Sequence, residues 1–112
     1  MSAAKIQYLE TASFGLHWMR RYYRENPQLD RKSAVTALKA AEHTLAAFPE
    51  SGEKFDDVEG VREYHIHGTP FSLLYTYTKG TVWIIDLRDQ RGNRSAQALR
   101  AFIANIRKKN QL

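Results

Sequence analysis

The sequence predicts an α+β fold in which a helical hairpin lies on one face of an antiparallel sheet, in the order β-α-α-β-β-β-α. Three observations carry this expectation. Apolar residues recur twice at helical spacing before Pro49. Alternation with period two replaces that spacing after Gly60. A third helical stripe closes the chain, so strands form one run with helices on either side of it.

The elements follow in order. Lys5 to Leu9 alternates weakly and predicts a short first strand. Ala12, Leu16, Met19 and Tyr23 mark a helix from about Thr11 to Glu25. Asn26-Pro27 ends it and can open the next helix, because proline fits the first helical position. Val35, Leu38, Ala41, Leu45 and Phe48 form the second stripe, stopped by Pro49 to Gly52. Residues 50–60 are polar and glycine-bounded, which predicts a loop. Strands are expected over Val61 to His67, Phe71 to Thr78 and Thr81 to Leu87. Lys79-Gly80 makes the tight hairpin between the last two. Thr81 to Leu87 is the most apolar strand and is expected at the sheet centre. Leu99, Phe102, Ile103 and Ile106 predict a final helix from about Ser95 to Lys109. The face of the sheet away from the helices is expected to stay open for a partner or substrate.

A length of 112 residues fits a single domain over 1–112. A chain of this size buries roughly 65% of its unfolded surface, enough for one core. With 43% hydrophobic and 26% charged residues the composition is globular rather than disordered. There is no cysteine, which excludes disulfides, thiolate chemistry and cysteine-based zinc sites. Met1 to Lys5 lacks the apolar region of a signal peptide, and no apolar run approaches the ~20 residues of a membrane span. A cytoplasmic protein without a membrane partner is the expectation. The net charge of +5, from 17 Lys and Arg against 12 Asp and Glu, favours encounter with polyanions or acidic protein segments. Many small proteins are basic without such a role, so charge alone decides nothing.

Several motifs then carry a resemblance. The hairpin closure Leu45 to Gly52 (LAAFPESG) is similar to the leucine–proline–glycine closure of ParE toxins. Val61-Arg62-Glu63-Tyr64 followed by Pro70 to Tyr75 (PFSLLY) resembles the arginine strand and aromatic hairpin that come next in that family. Thr81 to Leu87 (TVWIIDL), followed by an arginine-rich turn, resembles its last strand. The likeness runs from about residue 5 to 95. It implies a ParE/RelE-like toxin of a type II toxin–antitoxin system, neutralised by a cognate antitoxin in a hetero-oligomer and needing no cofactor. ParE-like members poison DNA gyrase; RelE-like members are endoribonucleases that cut mRNA on the ribosome. The shared fold does not choose between them.

Individual residues sharpen the choice. By resemblance, RelE-like nucleases carry two lysines on the second strand and an arginine on the third. Here those positions hold Glu63, His65 and Ser72. Arg91 matches a later arginine of that pattern, but no tyrosine follows Tyr77. The resemblance therefore implies a gyrase inhibitor first and a ribosome-dependent nuclease second. A basic RNA-binding module is a third reading, without aromatic sheet motifs to support it. Glu63 and His65 share a strand face with His67, so a carboxylate and an imidazole could act as base and acid with Arg91 on the phosphate. A solvent-facing strand carries such residues without any chemistry, too. Metal binding by His65 and His67 lacks a further strong ligand, and no metal is expected. Arg62, on the face with Tyr64 and Ile66, is expected to anchor the preceding loop or a helix end rather than to catalyse. Phe14, Trp18 and Tyr22 stand at successive i,i+4 steps beside the first stripe. They widen the core face or form a partner-docking surface.

Overall fold

The computed structural model describes residues 3–55 and 58–89. The elements in this range are β1 (Lys5–Tyr8), α1 (Ala12–Glu25), α2 (Arg31–Ala47), β2 (Glu53–Lys54), β3 (Arg62–His65), β4 (Phe71–Thr78) and β5 (Thr81–Asp89). The expected helix over Ser95 to Lys109 lies outside the described residues. The α+β class and the helix–helix–strand order stand, with one more strand than expected. Residues 53–54, taken with the loop from sequence, form β2 on the edge of β3.

The five strands lie in the order β1-β5-β4-β3-β2. Pairing is antiparallel from β2 to β5, but β1 runs parallel to β5, so the sheet is mixed rather than purely antiparallel. The helices between β1 and the later strands form the crossover that a parallel pair requires. The middle strand is β4, not the Thr81-to-Leu87 segment. That segment, within β5, stays apolar because β1 and β4 flank it and side chains bury on both faces.

Two clusters of apolar side chains divide the sheet. On the helix side Ala12, Met19, Tyr23, Ala41 and Leu45 meet Phe71, Leu73, Tyr75, Val82 and Ile84. On the other side Leu9, Phe55, Val58 and Val61 close over Leu74 and Ile85. The second face is therefore partly covered by Phe55, Val58 and Val61 and is not the fully open surface expected from the element order. Ile84 and Leu87, three residues apart, can both join the helix-side cluster because the β4–β5 register slips. Tyr75 stands opposite Ile84, whereas Leu74 stands opposite Asp86, which is a β-bulge. At the hairpin, Lys79 (φ 50) and Gly80 (φ 79) both adopt the left-handed backbone of a two-residue turn.

Pro27 does not open α2. Asp30 caps that helix by accepting from the Ser33 N–H, and the two hydrogen bonds from Ser33 hold its carboxyl below the usual range. Within α2, Ala34, Ala41 and Leu45 are buried, while Val35 and the C-cap residue Phe48 are exposed. The Tyr8 hydroxyl donates to Glu42 at 2.6 Å, tying β1 to α2. Burial first, and this bond second, raise its pKa.

Candidate functional site

Two surfaces carry the residues singled out by sequence. The first is built on α1. Its inner face buries Ala12, Gly15, Met19 and Tyr23. Gly15 is required here: a Cβ would stand 2.7 Å from the Leu87 carbonyl oxygen. So close an approach fixes how α1 rolls on β5, and with it which side chains face out. Phe14 is 71% exposed and Trp18 is 48% exposed. Tyr22 is half-buried instead, with its ring edge-on to Tyr23 at 5.0 Å and to Phe71 at 5.6 Å. The three-residue stripe thus splits into an outward pair and a member of the core margin. The Trp18 Nε1–H donates to Asp89 Oδ2 at 3.3 Å.

On a different flank of α1 from Phe14 and Trp18, α1 and α2 enclose a groove of about 280 Å³. Leu16, Met19, Ala34 and Leu38 supply its apolar walls, and Arg20, Arg24 and Arg31 line it with positive charge. No carboxylate lines it among the described residues. Sequence reasoning missed this groove, because it depends on how the two helices are placed rather than on either stripe.

The second surface lies on β3, β4 and β5, on the face away from the helices. Glu63 and His65 share that face of β3, as the period-two spacing predicts. A recess there is lined by Glu53, Glu63, Tyr64, His65, His67 and Ser72, among others. His65 faces Ser72 across the β3–β4 pair, and Ser72 faces Arg88 across the β4–β5 pair. The three therefore form one row over three adjacent strands.

Contacts within this row are partly satisfied. His65 Nε2 lies 2.7 Å from the Thr69 carbonyl oxygen. A carbonyl only accepts, so Nε2 carries the proton and donates. The His65 and His67 rings are 5.6 Å apart. Arg88 Nη1 reaches the Glu63 carboxylate oxygens at 3.4 and 3.5 Å, the long end of contact. Its guanidinium also stands 5.8 Å from the centre of the Phe55 ring. Ser72 is fully buried, and its hydroxyl has no hydrogen-bond partner among the described residues. The structure thus brings Glu63 and His65 together. Arg91 lies outside the described residues, and the arginine that meets Glu63 is Arg88. Among the described residues no three or more His, Asp or Glu side chains gather as a metal site.

A buried anchor holds the recess in place. Arg62 Nη1 donates to the Gly52 carbonyl at 2.8 Å and to the Glu50 carbonyl at 3.2 Å, the loop-pinning role expected of it. The Tyr75 hydroxyl accepts the Gly52 N–H at 2.9 Å and donates to the Pro49 carbonyl at 2.8 Å. Burial raises the Tyr75 pKa, against opposing contributions from the Gly52 bond and Arg62. A Cβ at Gly52 would sit 2.7 Å from that hydroxyl, so the closing glycine of the hairpin is fixed by space.

Comparison with known proteins places this arrangement. A family model described as the ParE toxin of type II toxin–antitoxin systems, parDE, matches residues 6–94. Among solved structures, one titled "Chromosomal ParDE TA system from P. aeruginosa" aligns with a TM-score of 0.60 at 16% sequence identity. The alignment covers 78% of this chain and 96% of that one. At that identity the likeness is one of fold. No curated protein matches the chain by sequence.

Proposed function

Since the chain belongs to the ParE toxins of type II toxin–antitoxin systems, we propose that it inhibits DNA gyrase and that a cognate antitoxin silences it in a cytoplasmic hetero-oligomer. The observation that carries the choice of target is the chemistry of the β3–β4 face. Where RelE-like nucleases resemble one another in holding two lysines and an arginine, this chain holds Glu63, His65 and Ser72. Metal-free RNA cleavage needs cationic groups on the phosphorane, because its negative charge exceeds that of the ground state. Among the described residues the cation opposite Ser72 is Arg88, and Glu63 already engages it. That set favours a toxin that acts by binding.

The antitoxin reading rests on α1 and its groove. α1 exposes Phe14 and Trp18 on one flank and, with α2, forms an apolar groove lined with three arginines on another. Large exposed apolar side chains, and an apolar groove with basic walls, suit a docking segment with apolar anchors and acidic flanks. The test is induced expression in bacterial cells carrying a reporter plasmid. Growth should stop and the plasmid should lose negative supercoils. Co-expression of the short reading frame adjacent to the toxin's own should reverse both. Arrest with unchanged plasmid topology would rule gyrase out as the target.

A further inference from the structure

The groove between α1 and α2 changes character along its length. Residues 26–30 turn the chain back, so the two helices run antiparallel. Leu16 and Leu38 therefore share one end of the groove, and Arg24 and Arg31 share the other, beside the turn. Arg20 stands about one helical turn in from Arg24. Between the ends Met19 and Ala34 are buried, and Val35 is 48% exposed.

Helix stability does not account for all three arginines. Arg24 lies in the last turn of α1 and complements its dipole. Arg31 opens α2, in a first turn without acidic residues, where the dipole disfavours a cation. No carboxylate lines the groove among the described residues, so nothing on its walls offsets the guanidinium groups. An apolar trough that turns basic at one end suits an occupant with the complementary gradient.

Two classes of polyanion answer to the charge, and the floor chooses between them. A nucleic-acid strand would set phosphates against Leu16, Met19 and Leu38, which gain nothing from them. A protein segment with apolar anchors buries those side chains. That segment is helical, because the backbone groups of α1 and α2 are bonded within each helix and an extended chain would find no partners there. From Leu16 to Arg24 the rise is about 12 Å, which about two turns of the occupant match.

Resting on the antitoxin reading above, we propose that Arg20, Arg24 and Arg31 are the specificity-determining residues of the antitoxin site. They select an amphipathic helix whose apolar side chains lie toward Leu16 and Leu38. Its carboxylates, at helical spacing, lie toward the hairpin turn. The apolar contacts hold the helix, while the arginines fix its direction and reject partners without acid at that end.

The experiment measures binding of the protein encoded by the adjacent short reading frame to the full-length toxin, by calorimetry at low and high sodium chloride. Arg20→Gln/Arg24→Gln/Arg31→Gln should weaken binding about tenfold, as three exposed ion pairs together do, and should flatten its dependence on salt. All three arginines are exposed, so the variant should melt as the native chain does. Lys5→Gln/Lys39→Gln/Lys79→Gln removes the same charge at other exposed positions and should change affinity less than about twofold. Equal weakening by both triple variants, or unchanged affinity in the arginine variant, would overturn the proposal and leave the antitoxin reading intact. No binding to the native toxin would remove that reading and this one together. Short single-stranded DNA is titrated alongside; if its binding alone depends on the three arginines, the groove reads nucleic acid and the proposal is wrong.

Discussion

Replacing Tyr75 with phenylalanine removes one oxygen and leaves the ring's packing intact, which isolates the hydroxyl. That oxygen joins Gly52 N–H and the Pro49 carbonyl across the end of the hairpin. Gly52 is buried, so its N–H would lose its partner where water does not reach. An orphaned buried donor costs about 1–3 kcal/mol. Pro49 is half-buried, so water can replace the tyrosine at its carbonyl and its share is at the low end, under about 1 kcal/mol. The sum is a loss of about 1–4 kcal/mol, with the slope of urea unfolding unchanged because the exposed surface hardly differs. Urea titration followed by tryptophan fluorescence measures it. A loss below about 0.5 kcal/mol would show that the loop satisfies itself without Tyr75, and the anchor described for the recess would be wrong.

Three further outcomes are expected. Gly15→Ala should destabilise the fold, because overpacking costs about 1–3 kcal/mol and outweighs the gain of about 1 kcal/mol in helix propensity. Thermal melting checks this, and an unchanged or higher midpoint would mean that α1 shifts on β5 without penalty. Trp18→Ala should weaken antitoxin binding at least about tenfold while the toxin stays folded; calorimetry with intact affinity would remove Trp18 from the interface. Both Tyr8 and Tyr75 have pKa values raised above 10.0 in the fold. The folded state then keeps protons that the unfolded chain releases, so stability is full below that pH and falls as pH rises above it. The fall should be smaller in the Tyr8→Phe/Tyr75→Phe double variant than in the native chain, each measured against its own stability at neutral pH.

Local signals in the sequence transferred well to the structure. Lys79-Gly80 names its own turn, because two consecutive left-handed residues are what a two-residue hairpin needs. The helix from Thr11 to Glu25 is legible in one stripe. Non-local pairing is not. A two-residue strand such as β2 has no period to detect, and the parallel alignment of β1 with β5 is set by packing of helices between them. Val35 and Phe48 fit the apolar stripe of α2 yet stay exposed, since hydrophobicity fixes a preference and not a neighbour.

The site shows the same division. Glu63 and His65 were legible as one face of a strand, and Arg62 as an anchor through its resemblance to the family arginine. Arg88 was missed for a specific reason. Counting back from the hairpin, where Thr78 meets Thr81, an unbroken ladder would set Leu87 opposite Ser72. The bulge between Leu74 and Tyr75 adds one residue and sets Arg88 there. A register slip of one residue moves a side chain to the other face, and nothing in the local sequence announces it.

The central claim is that this ParE-family chain acts on gyrase by binding and is not a nuclease. One preparation of the purified toxin tests it, divided between gyrase supercoiling of relaxed plasmid and cleavage of messenger RNA on programmed ribosomes, with antitoxin added back in each. The account predicts loss of supercoiling, its restoration by the antitoxin, and intact messenger RNA. Cleavage in the ribosomal A site that His65→Ala abolishes would contradict it, and would make Glu63 and His65 catalytic.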